Sequence, residues 1–297
     1  MDNTKNKIVV EGIKNINLEH IFECGQCFRY DKLSDGAYRI VALGSIADFK
    51  AEGGALEIYN TSLKEYREIW HDYLDLDRDY AEIIEQISKE DEVMKTATRE
   101  GYGIRILRQD PWETLISFII SQNNNIPRIR GCIESLCRIF GRPIEKVNEG
   151  GSVYYSFPSP EALAEASPRD IEKCKLGYRA QYILKTAKQV IDYGEKNFAE
   201  LREKSFEEVM ETLQRFNGVG PKVAHCVALF GFGKTEAFPI DTWIKKVMHQ
   251  LYGIDEDDVE AMSRRSAKQY GSYAGIAQQY LFFYGRNRKG IVKKYVK

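Results

Sequence analysis

The chain has 297 residues, of which 43% are hydrophobic and 29% charged, and its formal net charge is −1 at pH 7. This length can bury a sizeable core and favours two or three structural units, and the composition excludes a chain that is disordered throughout. A net charge near zero gives no support for nucleic-acid binding, which commonly leaves a basic footprint. Any basic surface must therefore be local.

No apolar run approaches the roughly 20 residues that a membrane-spanning helix needs, and the first residues lack the apolar core of a secretory signal. We therefore expect no membrane partner and a cytoplasmic location. The six cysteines are sparse for the length and predict reduced thiols rather than a disulfide framework. Cys24 and Cys27 form a CxxC pair, but two further ligands at a suitable spacing are missing, so we expect no metal site.

Short segments rich in β-forming residues occupy the chain from about residue 7 to 60. Turn signals such as Ser34-Asp35-Gly36 separate them, so the pattern predicts an antiparallel sheet. From Ser62 onward the periodicity becomes helical. Spacings of three and four predict one apolar stripe, made of Leu63, Tyr66, Ile69, Trp70 and Tyr73.

Most of the remaining chain is predicted to be helical. Ser159, Ser167 and Ser205 each precede a first-turn proline or acid, which is typical of a helix start. The glycine-containing stretch 148–160 is predicted to link two helical layers. The end of the chain is typical of a solvated basic tail. That tail carries Arg286, Arg288, Lys289, Lys293, Lys294 and Lys297.

These patterns together predict an α+β fold. Residues 1–100 would form an N-terminal antiparallel β-sheet domain with trailing helices, and residues 101–297 a mostly α-helical catalytic region. Within that region, the stretch 213–248 reads as helix, tight hairpin, helix, loop and helix. We place a helix–hairpin–helix motif at about residues 206–232.

The hairpin contains Gly218, Val219 and Gly220, followed by Pro221. The two glycines permit positive φ angles and a close backbone approach, and the proline suits the first position of a helix. Such a hairpin can direct backbone N–H groups at a phosphate, where the helix dipole assists, and so hold a DNA backbone without reading sequence. Taken alone, the same three residues also fit an ordinary connection between two helices.

Two residues of this segment have the chemistry of an active site. Lys222 lies in the first turn of the second helix, where the helix dipole and partial burial favour a neutral amine that can act as a nucleophile. Asp241 stands where the next helix should begin, so an N-cap role is expected in any case. A carboxylate close to the lysine could also assist its deprotonation and stabilise positive charge on a sugar whose base is leaving.

The order of hairpin, lysine, loop and aspartate resembles the bifunctional members of the helix–hairpin–helix DNA glycosylase superfamily. Further motifs, in the same order along nearly the whole chain, resemble the 8-oxoguanine DNA glycosylase/lyase of the eukaryotic type. These motifs are Gly25-Gln26-Cys27-Phe28-Arg29-Tyr30, Arg108-Gln109-Asp110-Pro111, Ser121-Gln122-Asn123-Asn124-Asn125-Ile126, Leu176-Gly177-Tyr178-Arg179-Ala180 and Tyr273-Ala274-Gly275-Ile276-Ala277-Gln278.

The resemblance implies a bifunctional enzyme that excises 8-oxoguanine from duplex DNA through a Schiff base on Lys222 and then cleaves the strand by β-elimination. The carbonyl of Gly25 would accept the N7–H that only the oxidised base has. Gln278 would pair with the Watson–Crick edge, and Cys226 and Phe282 would sandwich the base. Without the resemblance, Cys226 and Phe282 would be read as core residues.

The resemblance also assigns residues to the opposite strand. Asn123 would fill the gap left by the extruded base, Arg128 and Arg179 would hydrogen-bond the orphaned cytosine, and Tyr178 would wedge into the strand. Pro127 beside Arg128 could alter the local backbone there. Without the resemblance, the asparagines would be a polar helix end and the arginines surface charges.

Some relatives hold an iron–sulfur cluster with four cysteines beyond the catalytic aspartate, whereas Cys226 is the last cysteine here, so we expect no cofactor. The expected partner is double-stranded DNA containing oxidised guanine, bound by a monomer that is nucleoid-associated if bacterial and nuclear if eukaryotic. Two alternatives stay open. A monofunctional alkyl-base glycosylase would lack the lysine nucleophile, and a non-catalytic DNA-binding module would not need Lys222, Asp241 and Gln278 together.

Overall fold

The computed structural model describes residues 7–145 and 152–288. Five strands near the N-terminus form one antiparallel sheet, which confirms the predicted fold of this region. The strands are β1 (Lys7–Val10), β2 (Tyr30–Lys32), β3 (Tyr38–Ala42), β4 (Ser45–Glu52) and β5 (Ala55–Tyr59). Their order across the sheet is β1-β5-β4-β3-β2.

Two-residue turns set the register of the central strands. Leu43 and Gly44, with φ angles of 52° and 73°, join β3 to β4, and Gly53 and Gly54, at 62° and 80°, join β4 to β5. A turn with positive φ at both central residues matches the right-handed twist of paired strands. The resulting register places Tyr38 opposite Phe49.

Helices cover one face of this sheet. The sequence patterns gave no sign of α1 (Leu18–Phe22), whose Ile21 and Phe22 are fully buried against the sheet. The stripe predicted from Ser62 onward lies in α2 (Leu63–Glu65), a π-helical turn (Tyr66–Trp70) and α3 (His71–Tyr73).

The predicted stripe holds at Trp70 and Tyr73, which are buried, but is wrong at Leu63, which is 50% exposed. A π-helical turn contains more residues than an α-helical turn. Side chains before the π-helical turn therefore point to a different side of the helix from the side chains after it.

The rest of the described chain is mostly helical, as predicted, and Ser159, Ser167 and Ser205 are N-caps as expected. The first helices of this body are α4 (Tyr80–Ser88), α5 (Glu92–Glu100), α6 (Pro111–Ser121), α7 (Ile126–Phe140), α8 (Pro160–Ala164), α9 (Pro168–Lys173) and α10 (Arg179–Tyr193). They are followed by α11 (Glu195–Glu200), α12 (Phe206–Leu213), α13 (Pro221–Phe230), α14 (Thr242–Tyr252), α15 (Val259–Tyr270) and α16 (Ala274–Asn287). Short 3₁₀ turns occur at Leu201–Glu203 and Gly271–Tyr273.

The buried residues form two hydrophobic cores. The sheet, α1 and Trp70 share one core, whereas the buried side chains of α4 and α5 join the core of the helical body. The helices that trail the sheet in sequence are therefore divided between the two cores. The predicted division of the chain at residue 100 stays a prediction.

Two predicted segments fall partly outside the described residues. Residues 148–151 of the proposed linker lie outside them, and the remainder of the linker pairs with the segment after α7 through a bridge between Tyr155 and Pro143. The prediction of a solvated tail is wrong for Arg286, which is partly buried and lines a cleft, but not for Arg288, which is exposed. Arg286 lies in the last turn of α16, and Arg288, which ends that helix, pairs with Glu100 at 2.8 Å. The other tail members, Lys289, Lys293, Lys294 and Lys297, lie outside the described ranges.

All six cysteines are buried free thiols. Within residues 7–145 and 152–288, no group of three or more histidine, cysteine, aspartate or glutamate side chains is arranged to hold a metal ion. In the same part of the chain, no helix combines the length and the apolar composition that crossing a membrane requires.

Candidate active site

A cleft of about 810 Å³ opens between the Gly25 loop, the end of α6 and the helices α13, α14 and α16. The cleft brings together residues that are far apart in sequence. Eight of the predicted site residues line it: Gly25, Asn123, Gly220, Lys222, Cys226, Asp241, Gln278 and Phe282. The lining does not include Arg128, Tyr178, Arg179, Gly218 or Val219.

Helices α12 and α13 and the turn between them form the predicted helix–hairpin–helix unit. Gly218 has a φ of +77°, and a Cβ there would lie 2.7 Å from the Tyr182 ring, so only glycine fits. Gly220 does not use its freedom, because it caps α13 with an ordinary φ of −88°. A Cβ at Gly220 would meet nothing within 4 Å. The hairpin backbone is therefore open to a ligand at Gly220, whereas the Val219 side chain is buried in the core.

Lys222 is the second residue of α13, and its side chain is half-buried at the cleft wall. The ammonium nitrogen lies 5.4 Å from the centroid of the Phe118 ring. That ring stacks on Phe230, with 5.5 Å between centroids, and meets Phe28 edge-on. An aromatic face can hold a cation, but a wall of this kind offers it little hydration. Lys222 is thus directed into the cleft from an apolar surface.

Asp241 is the N-cap of α14, as predicted. Its Oδ1 accepts hydrogen bonds from the N–H groups of Trp243 at 3.1 Å and Ile244 at 2.8 Å. Burial raises the pKa of the Asp241 carboxyl above its ordinary value, while these N–H groups and the Lys222 charge oppose that rise. The aspartate is therefore both a structural cap and a partly desolvated carboxylate in the cleft.

His225, one turn along α13, has a role that sequence reasoning missed. Its Nδ1 accepts a hydrogen bond from the Phe238 N–H at 3.1 Å, and burial lowers its pKa to about 4. The neutral imidazole ties α13 to the loop that leads to Asp241. A single histidine in an apolar helix gives no sequence signal that separates this role from ordinary core packing.

The base-pocket candidates lie on α13 and α16. Gln278 is 4% exposed, and its Nε2 donates to the Pro239 carbonyl at 3.1 Å. Its Oε1 is buried and has no hydrogen-bond partner within the described residues. Phe282 follows one turn later, and Cys226, whose thiol pKa is raised by burial, lines the same cleft. A buried amide oxygen without a donor is costly unless a ligand supplies one.

Gly25 lies in a loop that the helical body holds firmly. Its φ is +84°, and a Cβ there would lie 3.5 Å from Cε1 of Phe282. The neighbouring Gln26 is fully buried and donates to the carbonyls of Ile21 and Arg105, at 2.9 and 2.8 Å. Its Oε1 accepts the N–H of Leu107 at 2.9 Å. Sequence reasoning placed Gln26 in a motif without a role, and the structure shows that it fixes the loop.

A second loop, after α6, carries Asn123, which is exposed and has a φ of +46°. Arg179 is buried, and its guanidinium donates to the carbonyls of Gln122 and Asn123, the latter at 2.8 Å. The Gln122 side chain in turn donates to the Gly218 carbonyl at 2.9 Å. This loop is therefore fixed to both α10 and the hairpin.

Tyr178 and Arg128 flank that loop. Tyr178 is 53% exposed, and its ring packs against the ring of Tyr182 and the Arg179 guanidinium. Arg128 is exposed in the first turn of α7, where Pro127 occupies one of the first two helical positions. Proline is tolerated there, so Pro127 leaves the helix start regular. The contacts of these residues with DNA stay predictions.

A helix–hairpin–helix unit that presents a lysine and a capped aspartate to one cleft defines the class of helix–hairpin–helix DNA glycosylases. Residues 116–271, more than half of the chain, match the model of the HhH-GPD superfamily of base excision DNA repair proteins. Residues 8–115 match the N-terminal domain of 8-oxoguanine DNA glycosylase. The chain belongs to the HhH-GPD superfamily and carries the N-terminal domain of its 8-oxoguanine DNA glycosylases.

Individual relatives agree with this assignment. The N-glycosylase/DNA lyase of Saccharomyces cerevisiae is 37% identical over 61% of this chain, and the alignment spans 56% of the yeast enzyme's length. The structure of MBOgg1 with a low-affinity DNA ligand is 45% identical, with a TM-score of 0.90 over 96% of this chain and 97% of that chain. The Clostridium acetobutylicum 8-oxoguanine glycosylase/lyase, bound to duplex DNA with cytosine opposite 8-oxoguanine, is 39% identical. Its TM-score is 0.89 over 96% of this chain and 97% of that chain.

Proposed function

We propose that the protein is a bifunctional DNA glycosylase and abasic-site lyase that excises 8-oxoguanine from duplex DNA in base excision repair. One observation carries the proposal. Lys222, Asp241 and the unpaired Oε1 of Gln278 line a single cleft, although they lie on α13, α14 and α16. A nucleophile, a carboxylate and a base-reading amide are the groups that base removal requires.

In the proposed chemistry, Lys222 is the nucleophile. Its nitrogen forms a bond to C1′ of the sugar while the bond from C1′ to N9 breaks, and the base leaves with the electron pair. The buried Asp241 carboxylate stabilises the positive charge that develops on the sugar. The bound nitrogen then loses a proton, its lone pair breaks the bond from C1′ to O4′, and O4′ gains a proton, which gives an open-chain Schiff base. Loss of a C2′ proton then expels the 3′ phosphate by β-elimination.

The proposed reading of the base uses two elements. The Gly25 carbonyl accepts the N7–H of the oxidised base, and undamaged guanine has no proton there. A buried group left without its partner costs about 1–3 kcal/mol, which corresponds to a preference of roughly 5- to 140-fold. The Gln278 amide reads the Watson–Crick edge, and its unpaired Oε1 gains a donor when the base enters. Cys226 and Phe282 enclose the two faces of the base.

The proposed DNA interface surrounds the cleft. The backbone of Gly218, Val219 and Gly220 binds a phosphate at the start of α13. Asn123 enters the gap in the duplex, Tyr178 wedges into the opposite strand, and Arg128 contacts the orphaned cytosine. Arg179 donates to the carbonyls of Gln122 and Asn123 and, in the proposed complex, also hydrogen-bonds the cytosine. The protein acts as a monomer on duplex DNA.

The test is covalent trapping on DNA. Borohydride reduces a Schiff base to a stable amine, so wild-type protein should be trapped on duplex DNA that carries 8-oxoguanine opposite cytosine. Lys222→Gln should abolish trapping. Lys245→Gln is the matched control, because Lys245 also lines the cleft but has no role in the proposed chemistry.

No trapped complex with active wild-type protein would contradict the lyase assignment. In that case, a monofunctional alkyl-base glycosylase becomes the better description if methylated bases are excised. A protein that binds DNA but releases no base at all would instead be the non-catalytic helix–hairpin–helix module.

A further inference from the structure

Arg286 has surroundings that differ from those of an ordinary surface arginine. It lies in the last turn of α16, one turn after Phe282, and it lines the cleft. Its Nη2 donates to the Glu23 carbonyl at 2.6 Å, and the guanidinium carbon lies 5.6 Å from the centroid of the Phe282 ring. These two contacts hold the guanidinium beside the Phe282 ring and the loop that leads to Gly25. The proposed glycosylase chemistry uses Lys222 and Asp241 but not this cation.

The second terminal nitrogen of Arg286, Nη1, lies beside Gly25. It lies 3.7 Å from the position that a Cβ would take on Gly25, and Cε1 of Phe282 lies 3.5 Å from the same position. Within the described part of the chain, Nη1 makes no hydrogen bond. Gly25, the Phe282 ring and this free donor therefore lie next to one another in the wall of the cleft.

The edge of an 8-oxidised purine has the complementary pattern. Its N7–H is a donor, and the carbons on the two sides of N7 lead to the carbonyl oxygens O6 and O8. A wall that accepts the N7–H therefore faces an oxygen acceptor on either side. When the bond from N9 to C1′ breaks, the base keeps the electron pair. The C8 carbonyl is conjugated with N9, so O8 takes part of that negative charge.

We propose that Arg286 is a further catalytic residue, which donates from Nη1 to a carbonyl oxygen beside N7 and stabilises the negative charge of the departing base. This inference rests on the proposed function, because it assumes that Gly25 accepts the N7–H. Lys222 forms its bond to C1′ as N9 leaves, Arg286 holds the base anion, and water then protonates that anion. Preorganised donors of this kind mainly stabilise charge that develops in the transition state. Their loss should therefore lower the rate of base release more than the affinity for the damaged duplex.

The experiment compares three variants of the full chain. Arg286→Met removes the charge and keeps the side-chain length, and Arg286→Lys keeps the charge but loses the planar fork. Arg288→Met is the matched control. Arg288 ends the same helix, pairs with Glu100 and stacks on Tyr284, but it does not line the cleft.

Each variant is measured in three assays. The first is single-turnover release of 8-oxoguanine from a duplex with cytosine opposite. The second is strand cleavage at a preformed abasic site, where no base has to leave. The third is affinity for a duplex whose 8-oxoguanosine carries a 2′-fluorine, which binds but resists loss of the base.

We expect Arg286→Met to slow base release by about 100-fold, since one donor to a developing oxyanion is worth roughly that much. Affinity for the fluorinated duplex should change by less than about threefold, and abasic-site cleavage should be unaffected. Arg286→Lys should recover a large part of the rate, and Arg288→Met should behave as wild type.

Normal base release by Arg286→Met would overturn the inference. So would an equal loss in all three assays, because Arg286 would then only anchor the Gly25 loop through Glu23. Failure of the proposed function looks different, because in that case wild-type protein releases no 8-oxoguanine at all.

Discussion

The two sides of the cleft differ in how completely they are built before DNA arrives. On the lesion side, Gln278 is buried with an unpaired oxygen, and the Gly25 loop is held by Gln26, Gln279 and Arg286. On the opposite-strand side, Asn123 and Arg128 are exposed, and Tyr178 packs only on its neighbours.

This difference follows from what each side has to recognise. A flipped base enters a rigid pocket, so fixed partners reduce the cost of ordering on binding. The opposite strand supplies its own stacking and pairing, so exposed side chains can order against it. We therefore expect substitutions on the lesion side to change rates strongly, and those on the opposite-strand side to change base preference by smaller factors.

The largest effect is expected for Asp241→Asn. Asparagine is also a good N-cap, so α14 should keep its start and the protein its stability. Loss of the carboxylate charge should slow base release by about 10²–10³-fold, as for other preorganised charges. In the wild type, burial raises the pKa of Asp241, so base release should fall at a higher pH than an ordinary aspartate would allow, as the carboxylate is protonated.

Single-turnover rates between pH 4 and 8, with unfolding measured in parallel, test this expectation. An Asp241→Asn variant that is folded and fully active would remove the carboxylate from the mechanism.

The next largest effect is expected on the free energy of unfolding, through the protonation of His225. Burial lowers the pKa of His225 to about 4, below its ordinary value of 6.5, so the folded state favours the neutral imidazole. The unfolded chain binds a proton first, so the contribution is complete above about pH 6.5 and is lost as the pH falls toward 4. The shift corresponds to at most roughly 3 kcal/mol. The free energy of unfolding should therefore fall steeply over this range.

His225→Asn is the matched control, because its Oδ1 can accept the Phe238 N–H but does not titrate. Denaturant unfolding at several pH values should show a flatter profile for this variant. An identical pH profile in both proteins would assign the acid sensitivity to another group.

A smaller effect is expected for Gln278→Ala. The loss of one or two hydrogen bonds to the base should slow 8-oxoguanine release by roughly 10- to 100-fold. Binding to a duplex with an abasic site should stay close to wild type, because no base occupies the pocket. Equal losses in both measurements would make Gln278 a scaffold residue that supports Pro239.

The smallest effect is expected for Asn123→Ala on the exposed side. Four duplexes that differ only in the base opposite the lesion would show a preference for cytosine that shrinks by about fivefold, on the order of 1 kcal/mol. The rate of abasic-site cleavage by Lys222 is the internal reference. If the ranking of the four bases is unchanged, residues outside this loop must recognise the base opposite the lesion.

The fold was predictable where local chemistry determines structure. Alternating β-formers and glycine turns predicted the sheet, and serine followed by proline or acid predicted the helix starts at Ser159, Ser167 and Ser205. The pattern failed at the π-helical turn, where Leu63 leaves the buried stripe, because periodicity assumes a constant number of residues per turn.

The candidate site was predictable only in part. Lys222 and Asp241 stand out by their positions at helix starts, and both were assigned from the sequence. His225 and Gln26 gave no signal, because their partners Phe238, Arg105 and Leu107 are set by packing between elements.

The sequence by itself determined the sheet, the helical body and the hairpin, and it predicted the two residues of the proposed chemistry, because each depends on neighbours along the chain. The tertiary structure decided that Arg286 belongs to the cleft and not to a solvated tail. It also decided that Arg179 supports the Asn123 loop and that the Gln278 oxygen has no partner within the described residues. Burial and hydrogen-bond partners depend on which helices pack together, and that information is spread over the whole chain.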